Sequence, residues 1–407
     1  MTRWIYAFSA PAPDGNDERS LLGGKGASLR QMTKAGLTVP PGFTITTECC
    51  AEYFRLGRQW PEGLGAELQS HLARLETDVG RRFGRGERPL LVSVRSGAAR
   101  SMPGMMDTLL NCGLNTQLAE EVGAESRFWQ LYQQFIASYA RTVHGLDTAP
   151  VEHGAADRDA IKRILALYEE KTGEPFPRSP WDALCGCINA VFNSWENPRA
   201  IAYRRRHGMR NLQGTAVNVQ MMFPSHVSGV VFTRDPTAPQ EERLVVEAAY
   251  GLGESVVSGE VTPDRYLAAR DNFGNVTATI GHKDAVIWAL GDEQTLDPDG
   301  RCLDAGQLHE LCQLCLNVEE HFGHPVDVEF GLADGRLALL QARAIRGLDV
   351  ALAVEPARQK EITRLANIVQ LLRGHGPGWA GGHIGFSLAA DETFGGCRND
   401  MNVPDTL

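Results

Sequence analysis

Apolar positions along this chain switch repeatedly between strand and helix periods, and the changes divide it into blocks. Trp4 to Phe8 is a short strand-like stretch, followed by a loop of Pro, Asp, Gly and Asn. Leu29, Met32 and Leu37 then repeat at helical spacing behind the glycine-rich run Leu21-Leu22-Gly23-Gly24-Lys25-Gly26-Ala27. Leu64, Leu68, Leu72, Leu75 and Val79 predict helical structure across residues 48–88, ending in a Gly/Arg loop whose Arg81, Arg82, Arg85 and Arg88 read as a solvated face. Leu90, Leu91, Val92 and Val94 form a compact apolar run suited to a buried strand. Residues 117–205 return to the helical period through Phe128, Leu131, Phe135, Ile136 and Tyr139, and again through Ile161, Ile164, Leu165 and Tyr168. From Gly214 the period falls to two: Thr215–Phe223, Gly229–Pro236 and Leu244–Ala249 predict strands, and Gly251–Pro263 a glycine-punctuated loop and strand. Val326–Phe330 and Leu337–Leu340 flank a Gly335 turn and predict a hairpin. Lys360–Leu372 reads as one more helix before a tail rich in glycine. The pattern is that of an α+β protein with helices between two strand-bearing parts.

Composition narrows the class. With 407 residues the chain can bury a large core and divide into two or three domains. A net charge of −10 argues against non-specific nucleic-acid binding and against a basic membrane-surface face, so any bound phosphate must meet local positive charge. The nine cysteines lack the paired spacing of a zinc site and are expected to be reduced, mostly buried thiols. No apolar run reaches the length of a membrane span, and the first residues are too short and polar-flanked for a signal peptide; a cytoplasmic protein is expected.

Three clusters carry candidate chemistry. The strand Leu90–Val94 runs into Arg95-Ser-Gly97 and then a loop of Gly, Ala and Ser with Arg100 and a Pro103-Gly104 turn. Small residues let backbone N–H groups close on an anion, and the arginines add charge, so this is either a phosphate cradle or a surface loop with solvated arginines. Lys25 at a glycine-rich helix start can place a point charge on phosphate oxygens. The run is not a Walker loop, because Gly26 follows Lys25 and Arg19 stands where that pattern needs glycine. In the hairpin, alternation puts Asp327 and Glu329 on one face, with Gln341 and Arg343 sharing a face of the partner strand. Two carboxylates and an amide oxygen are the hard donors Mg²⁺ prefers, and Arg343 could neutralise charge on a transferred group; a salt-bridged exposed hairpin is the plainer alternative.

The run Pro89–Leu114, the segment Gly23–Ala27 followed by Val39-Pro-Pro-Gly-Phe-Thr-Ile-Thr46, and Val191–Arg206 together resemble the N-terminal nucleotide-binding part of the pyruvate phosphate dikinase family, relatives of phosphoenolpyruvate synthase. Gly251–Pro263 is closer to the synthase, so the chain mixes features of both. The resemblance implies an ATP-grasp fold: a first subdomain at 1–112 with Lys25 and the phosphate loop, a helical segment at 113–210, a second subdomain at 211–346 with adenine and metal strands, and a divergent tail at 347–407. It implies ATP and Mg²⁺ as cofactors. Lys25 and Arg95 would contact phosphates, and the loop carrying Gly97, Ser101, Gly104, Asp107 and Thr108 would fold over them. Adenine would lie against Gln220 and Met221, a strand whose backbone can read the purine edge, with Glu254 near the ribose. Met221 and Met222 are equally compatible with a core role. Asp327, Glu329 and Gln341 would hold the metal, with Arg343 and Gln341 also reaching ATP.

The resemblance covers roughly residues 1–346. Full-length members continue with a domain bearing a phospho-accepting histidine in a Thr-Ser-His context, and then a pyruvate-binding barrel. Thr-Ser-His occurs nowhere here, and the flanks of His383 differ from that context, so both later domains are expected to be absent. Two functions remain open at this point. The chain is a phosphotransferase subunit passing a phosphoryl group from ATP to a histidine on a separate partner or to a small acceptor, or it is a nucleotide-binding module or dikinase remnant without turnover.

Overall fold

Two antiparallel sheets frame a computed structural model that describes residues 2–11, 17–100, 102, 106, 108–146, 156–209, 212–253, 261–284, 286–290, 297–345, 347–348 and 360–365. The first sheet contains β1 (Ile5–Ala7), β2 (Gly42–Ile45), β3 (Val92–Gly97), β4 (Thr108–Cys112) and β5 (Ala216–Met221), in the order β1-β2-β5-β3-β4. The second contains β6 (Val227–Phe232), β7 (Arg243–Tyr250), β8 (Asp264–Ala269), β9 (Val276–Thr279), β10 (Val326–Ala333) and β11 (Arg336–Ala344), in the order β11-β10-β6-β7-β8-β9. This corrects the boundary expected at residue 211. Strand β5 is the centre of the first sheet, paired with β2 on one side and β3 on the other, so the break between sheets falls after Met221.

The helices before the second sheet lie in blocks read as helical, whereas the last, Ala305–Phe322, is not predicted by the sequence pattern. The helices are α1 (Glu18–Lys34), α2 (Thr47–Arg55), α3 (Leu64–Val79), α4 (Thr116–Glu121), α5 (Ser126–His144), α6 (Arg158–Thr172), α7 (Pro180–Ser194), α8 (Pro198–Arg206) and α9 (Ala305–Phe322). One core joins Val92, Val94, Val217 and Val219 of the first sheet to Phe128, Leu131 and Phe135 of α5 and to Leu184, Ile188 and Phe192 of α7. The intervening helices are therefore part of the first lobe's core rather than a separate unit. A second core joins Val231, Val246, Tyr266 and Val328 to Leu308, Leu311 and Cys315 of α9.

Helix α1 belongs to both lobes. Its Leu29 and Met32 enter the second core, while an added Cβ on Gly26 would lie 2.6 Å from Thr44 Oγ1 and 2.9 Å from Asn218 Oδ1 of the first sheet. Ser28 Oγ donates to the carbonyl of Ala342 in β11 at 2.6 Å, and the Leu339 N–H donates to Thr38 O at 2.8 Å. The helix begins earlier than its glycines suggest. Asp17 caps it by accepting from the Arg19 N–H, and the expected glycine loop is instead a kink inside the helix, where Gly23 takes φ 69°. A Cβ there would sit 1.5 Å from Gly97 O.

Gly23→Ala is therefore expected to cost about 2–4 kcal/mol, since both backbone strain and a clash with main chain oppose it. Gly24→Ala, whose Cβ would meet nothing closer than Ala98 O at an ordinary 3.5 Å, is the control and should melt near wild type. Thermal unfolding of the two variants checks this, and equal melting temperatures would refute it.

Candidate nucleotide site

The kink in α1 delivers Lys25 to the end of β3. Gly24 N–H donates to Ala98 O at 2.9 Å, and Arg19 Nε donates to Ala99 O at 3.0 Å, so the segment leaving β3 is pinned against the helix. Within the first sheet Arg95 stands opposite Asn218, and Asn218 opposite Thr44, which places all three side chains on the face that α1 covers. Gly97 ends β3, and its N–H donates to Thr215 Oγ1 at 3.2 Å. Thr108 begins β4 directly opposite Arg95 and is exposed.

The second sheet brings acidic groups to the same place. In the hairpin Asp327 pairs with Arg343 and Glu329 with Gln341, ahead of a bulge after Glu329. Asp334 and Gly335 take φ 50° and 70°, the left-handed pair that a tight two-residue hairpin turn requires. Arg343 Nε meets both carboxylate oxygens of Asp327, at 2.7 and 2.8 Å. Arg95 reaches from the first sheet to Glu329 on the second, with Nη1 3.6 Å from Oε2. Asp327 and Gln341 are buried, Glu329 and Arg95 half-buried, and Arg343 exposed.

Lys25 is half-buried by exposure and lies within this charge cluster. Desolvation pushes its ammonium pKa down to about 7; Arg95 and Arg343 push the same way and Glu329 opposes them. The cluster thus holds three cations and two carboxylates where the lobes meet. Among the described residues no group of three or more His, Cys, Asp and Glu side chains could hold a metal ion. Asp327, Glu329 and Gln341 are instead an incomplete hard-oxygen set, which suits a Mg²⁺ that takes its remaining ligands from phosphate and water.

The adenine expectation needs correction in one respect. Strand β5 is central, and the N–H groups of Met221 and Met222 donate to Pro41 O and Leu91 O, each at 2.9 Å. Those two N–H groups are spent on neighbouring main chain, so a purine edge here would have to meet carbonyl oxygens or side chains. Gln220 is buried with its Nε2 on Pro40 O at 3.2 Å, and Met221 packs against the first core. Ser101, Gly104, Asp107 and Glu254, expected around the phosphates and ribose, lie outside the described residues. So do His383 and nearly all of the tail, although residues 360–365 are helical.

Sequence reading missed Asn218 and Thr44, which floor the cluster. The signal was present in Thr215-Ala-Val-Asn-Val, where a polar side chain interrupts an otherwise apolar strand. The Asn218 side chain is 1% exposed and bonded through Oδ1 to Thr44 Oγ1 at 2.8 Å.

A profile of the family described as pyruvate phosphate dikinase, AMP/ATP-binding domain, matches residues 19–62 and 56–363. The chain belongs to this family. The two-sheet architecture of this dikinase-family chain is accordingly an ATP-grasp fold. The pyruvate, phosphate dikinase of Rhizobium meliloti (strain 1021) is 39% identical over 372 residues, covering 84% of this chain and 39% of that protein. Pyruvate, phosphate dikinase 1, chloroplastic, of Oryza sativa subsp. japonica is 35% identical over 401 residues, covering 91% of this chain and 39% of the relative. The Clostridium symbiosum dikinase is 35% identical over 372 residues, again 84% and 39% of the two chains. The chain thus spans about two fifths of the length of these relatives. Among the described residues no helix is long and apolar enough to cross a membrane.

Proposed function

We propose that this dikinase-family chain binds Mg-ATP at the junction of its two sheets and passes a phosphoryl group to a histidine on a separate partner or to a small acceptor. One observation carries the reading: Lys25 on α1, Arg95 on the first sheet and Arg343 on the second converge around two carboxylates, with the Arg95–Glu329 pair spanning the sheets. Lys25 and Arg95 hold phosphate oxygens, with Gly97 and Thr108 beside them. Arg343 neutralises charge building on the transferred group. Asp327, Glu329 and Gln341 would hold Mg²⁺, whose positive charge would offset that of the phosphates. Three cations against two carboxylates leave too small a positive surplus for a triphosphate, so a divalent cation is required for balance. All eight described cysteines are free, which supports the cytoplasmic setting this reading includes.

Phosphorus NMR of ATP with the purified protein, Mg²⁺ and a dikinase histidine-domain protein tests the proposal. Nucleotide turnover with label on the added histidine is expected, and AMP or ADP as product tells which phosphoryl group moves. Binding without turnover under any acceptor would assign the chain instead to the nucleotide-binding modules.

Glu329→Gln should leave metal-free nucleotide affinity nearly unchanged and remove most of the increment that Mg²⁺ adds, because a neutral amide is a poorer ligand for a hard cation. Titration calorimetry with ATP, with and without Mg²⁺, measures the increment. A variant with wild-type Mg²⁺ dependence would show the hairpin carboxylates to be structural.

A further inference from the structure

Two buried nitrogen donors in the floor of the cluster, Nδ2 of Asn218 and Nε of Arg95, have no hydrogen-bond partner among the described residues. They belong to residues directly opposite each other on β5 and β3. A buried donor without an acceptor is costly, and folded proteins rarely carry one unless something binds there.

The Asn218 amide is held in one orientation. Its Oδ1 accepts from Thr44 Oγ1 at 2.8 Å, and Gly26 closes over that side so tightly that a Cβ would come within 2.9 Å of Oδ1. Nδ2 therefore faces the other way, toward Gly97. A Cβ on Gly97 would stand 2.5 Å from Nδ2 and 3.5 Å from Cβ of Lys25. Only a glycine lets the amide donor come this close to the β3 main chain beside the lysine stem, and Arg95 stands directly opposite Asn218 on β3. The partner that would satisfy both donors is an oxygen acceptor bearing negative charge.

We propose that Asn218 is an oxyanion-binding residue of the cleft, donating through Nδ2 to a phosphoryl oxygen of the bound nucleotide beside Lys25 and Arg95. The inference rests on the Mg-ATP reading above and adds a neutral, directional donor to the three cations. An amide supplies that hydrogen bond without adding to the repulsion that Lys25 already experiences from its two arginines.

Asn218→Asp tests it with little change of shape. The carboxylate still accepts from Thr44, and its second oxygen turns the donor into an anion facing the phosphate. Mg-ATP affinity by titration calorimetry is expected to fall on the order of 100-fold in Asn218→Asp and roughly tenfold in Asn218→Ala, while binding of millimolar adenosine, followed by saturation-transfer NMR, stays as in wild type. Thr44→Val, which frees the amide without altering β5, should weaken Mg-ATP less than either, and it decides the matter if both Asn218 variants fail to fold. Unchanged Mg-ATP affinity in Asn218→Asp overturns the inference, since an acceptor would then serve as well as a donor. Equal losses for ATP and adenosine overturn it too, because they mark a purely structural residue. Wild-type protein that binds no Mg-ATP removes the functional reading and this inference together, whereas intact wild-type binding with indifferent variants removes this inference alone.

Discussion

Mg-ATP is expected to raise the melting temperature of the wild-type protein, and Lys25→Ala and Arg95→Ala are each expected to abolish most of that rise. A ligand that binds only the folded state stabilises it by mass action, so the shift reports affinity directly. The apo variants should melt close to wild type. Arg95 and Glu329 form a part-exposed pair at 3.6 Å, and such pairs contribute at most about 1 kcal/mol. Lys25 is held in the folded protein at a cost in desolvation, as its pKa near 7 indicates, so removing it relieves an unfavourable term. The same pKa predicts the pH dependence of binding. Above about pH 7 the free protein carries Lys25 increasingly neutral, while a bound triphosphate favours the charged form. Binding must then take up a proton, and the ATP-induced shift should shrink as pH rises from 7 toward 9. Lys25→Ala should flatten that slope. A full ATP shift retained in both variants would show that the phosphates bind elsewhere.

The largest kinetic effect should come from Arg343. With a histidine-domain partner supplied, wild-type protein is expected to place an acid-labile phosphate on that partner, and Arg343→Ala to lose the labelling rate on the order of a thousandfold, the scale at which an arginine acts on a phosphoryl-transfer transition state. Arg343 is suited to this because its side chain is 45% exposed, yet its Nε is anchored on Asp327. The anchor removes much of the rotamer entropy that an exposed arginine would otherwise lose on meeting the substrate. Arg343→Lys keeps the charge but loses the planar fork, and should fall between the two. Mg-ATP affinity should change far less than the rate. Labelling at the wild-type rate in Arg343→Ala would leave the arginine with a structural role only.

Local patterns made some of this legible in the sequence and hid the rest. The β10–β11 hairpin could be read because alternation and a Gly335 turn fix register over a short span, so Asp327 faces Arg343 and Glu329 faces Gln341. The amphipathic periods of α3 and α5 could be read for the same reason: each buries one stripe. Three features escaped. The place of β5 escaped because strand pairing between distant segments leaves no local period. Gly23 was legible as a permissive residue, but only the neighbouring Gly97 carbonyl shows that it kinks a helix already under way. That the Met221 N–H is already spent escaped on the same topology, since a central strand has neighbours on both edges to claim its amides.

The position of β5 also orders events during synthesis. Strands β2 and β3 leave the ribosome as two separate ribbons whose facing edges have no partner until residues 216–221 appear, more than a hundred residues after β3 is complete. At about 5–20 residues per second that interval lasts several seconds, long compared with hairpin formation. During it, the edge carrying Val92 and Val94 and the edge carrying Phe43 and Ile45 are open to any other extended chain. The nascent protein therefore depends on its helices α5 and α7, which bury the same valines and emerge before β5, to shield one apolar face while the gap in the sheet waits to be filled.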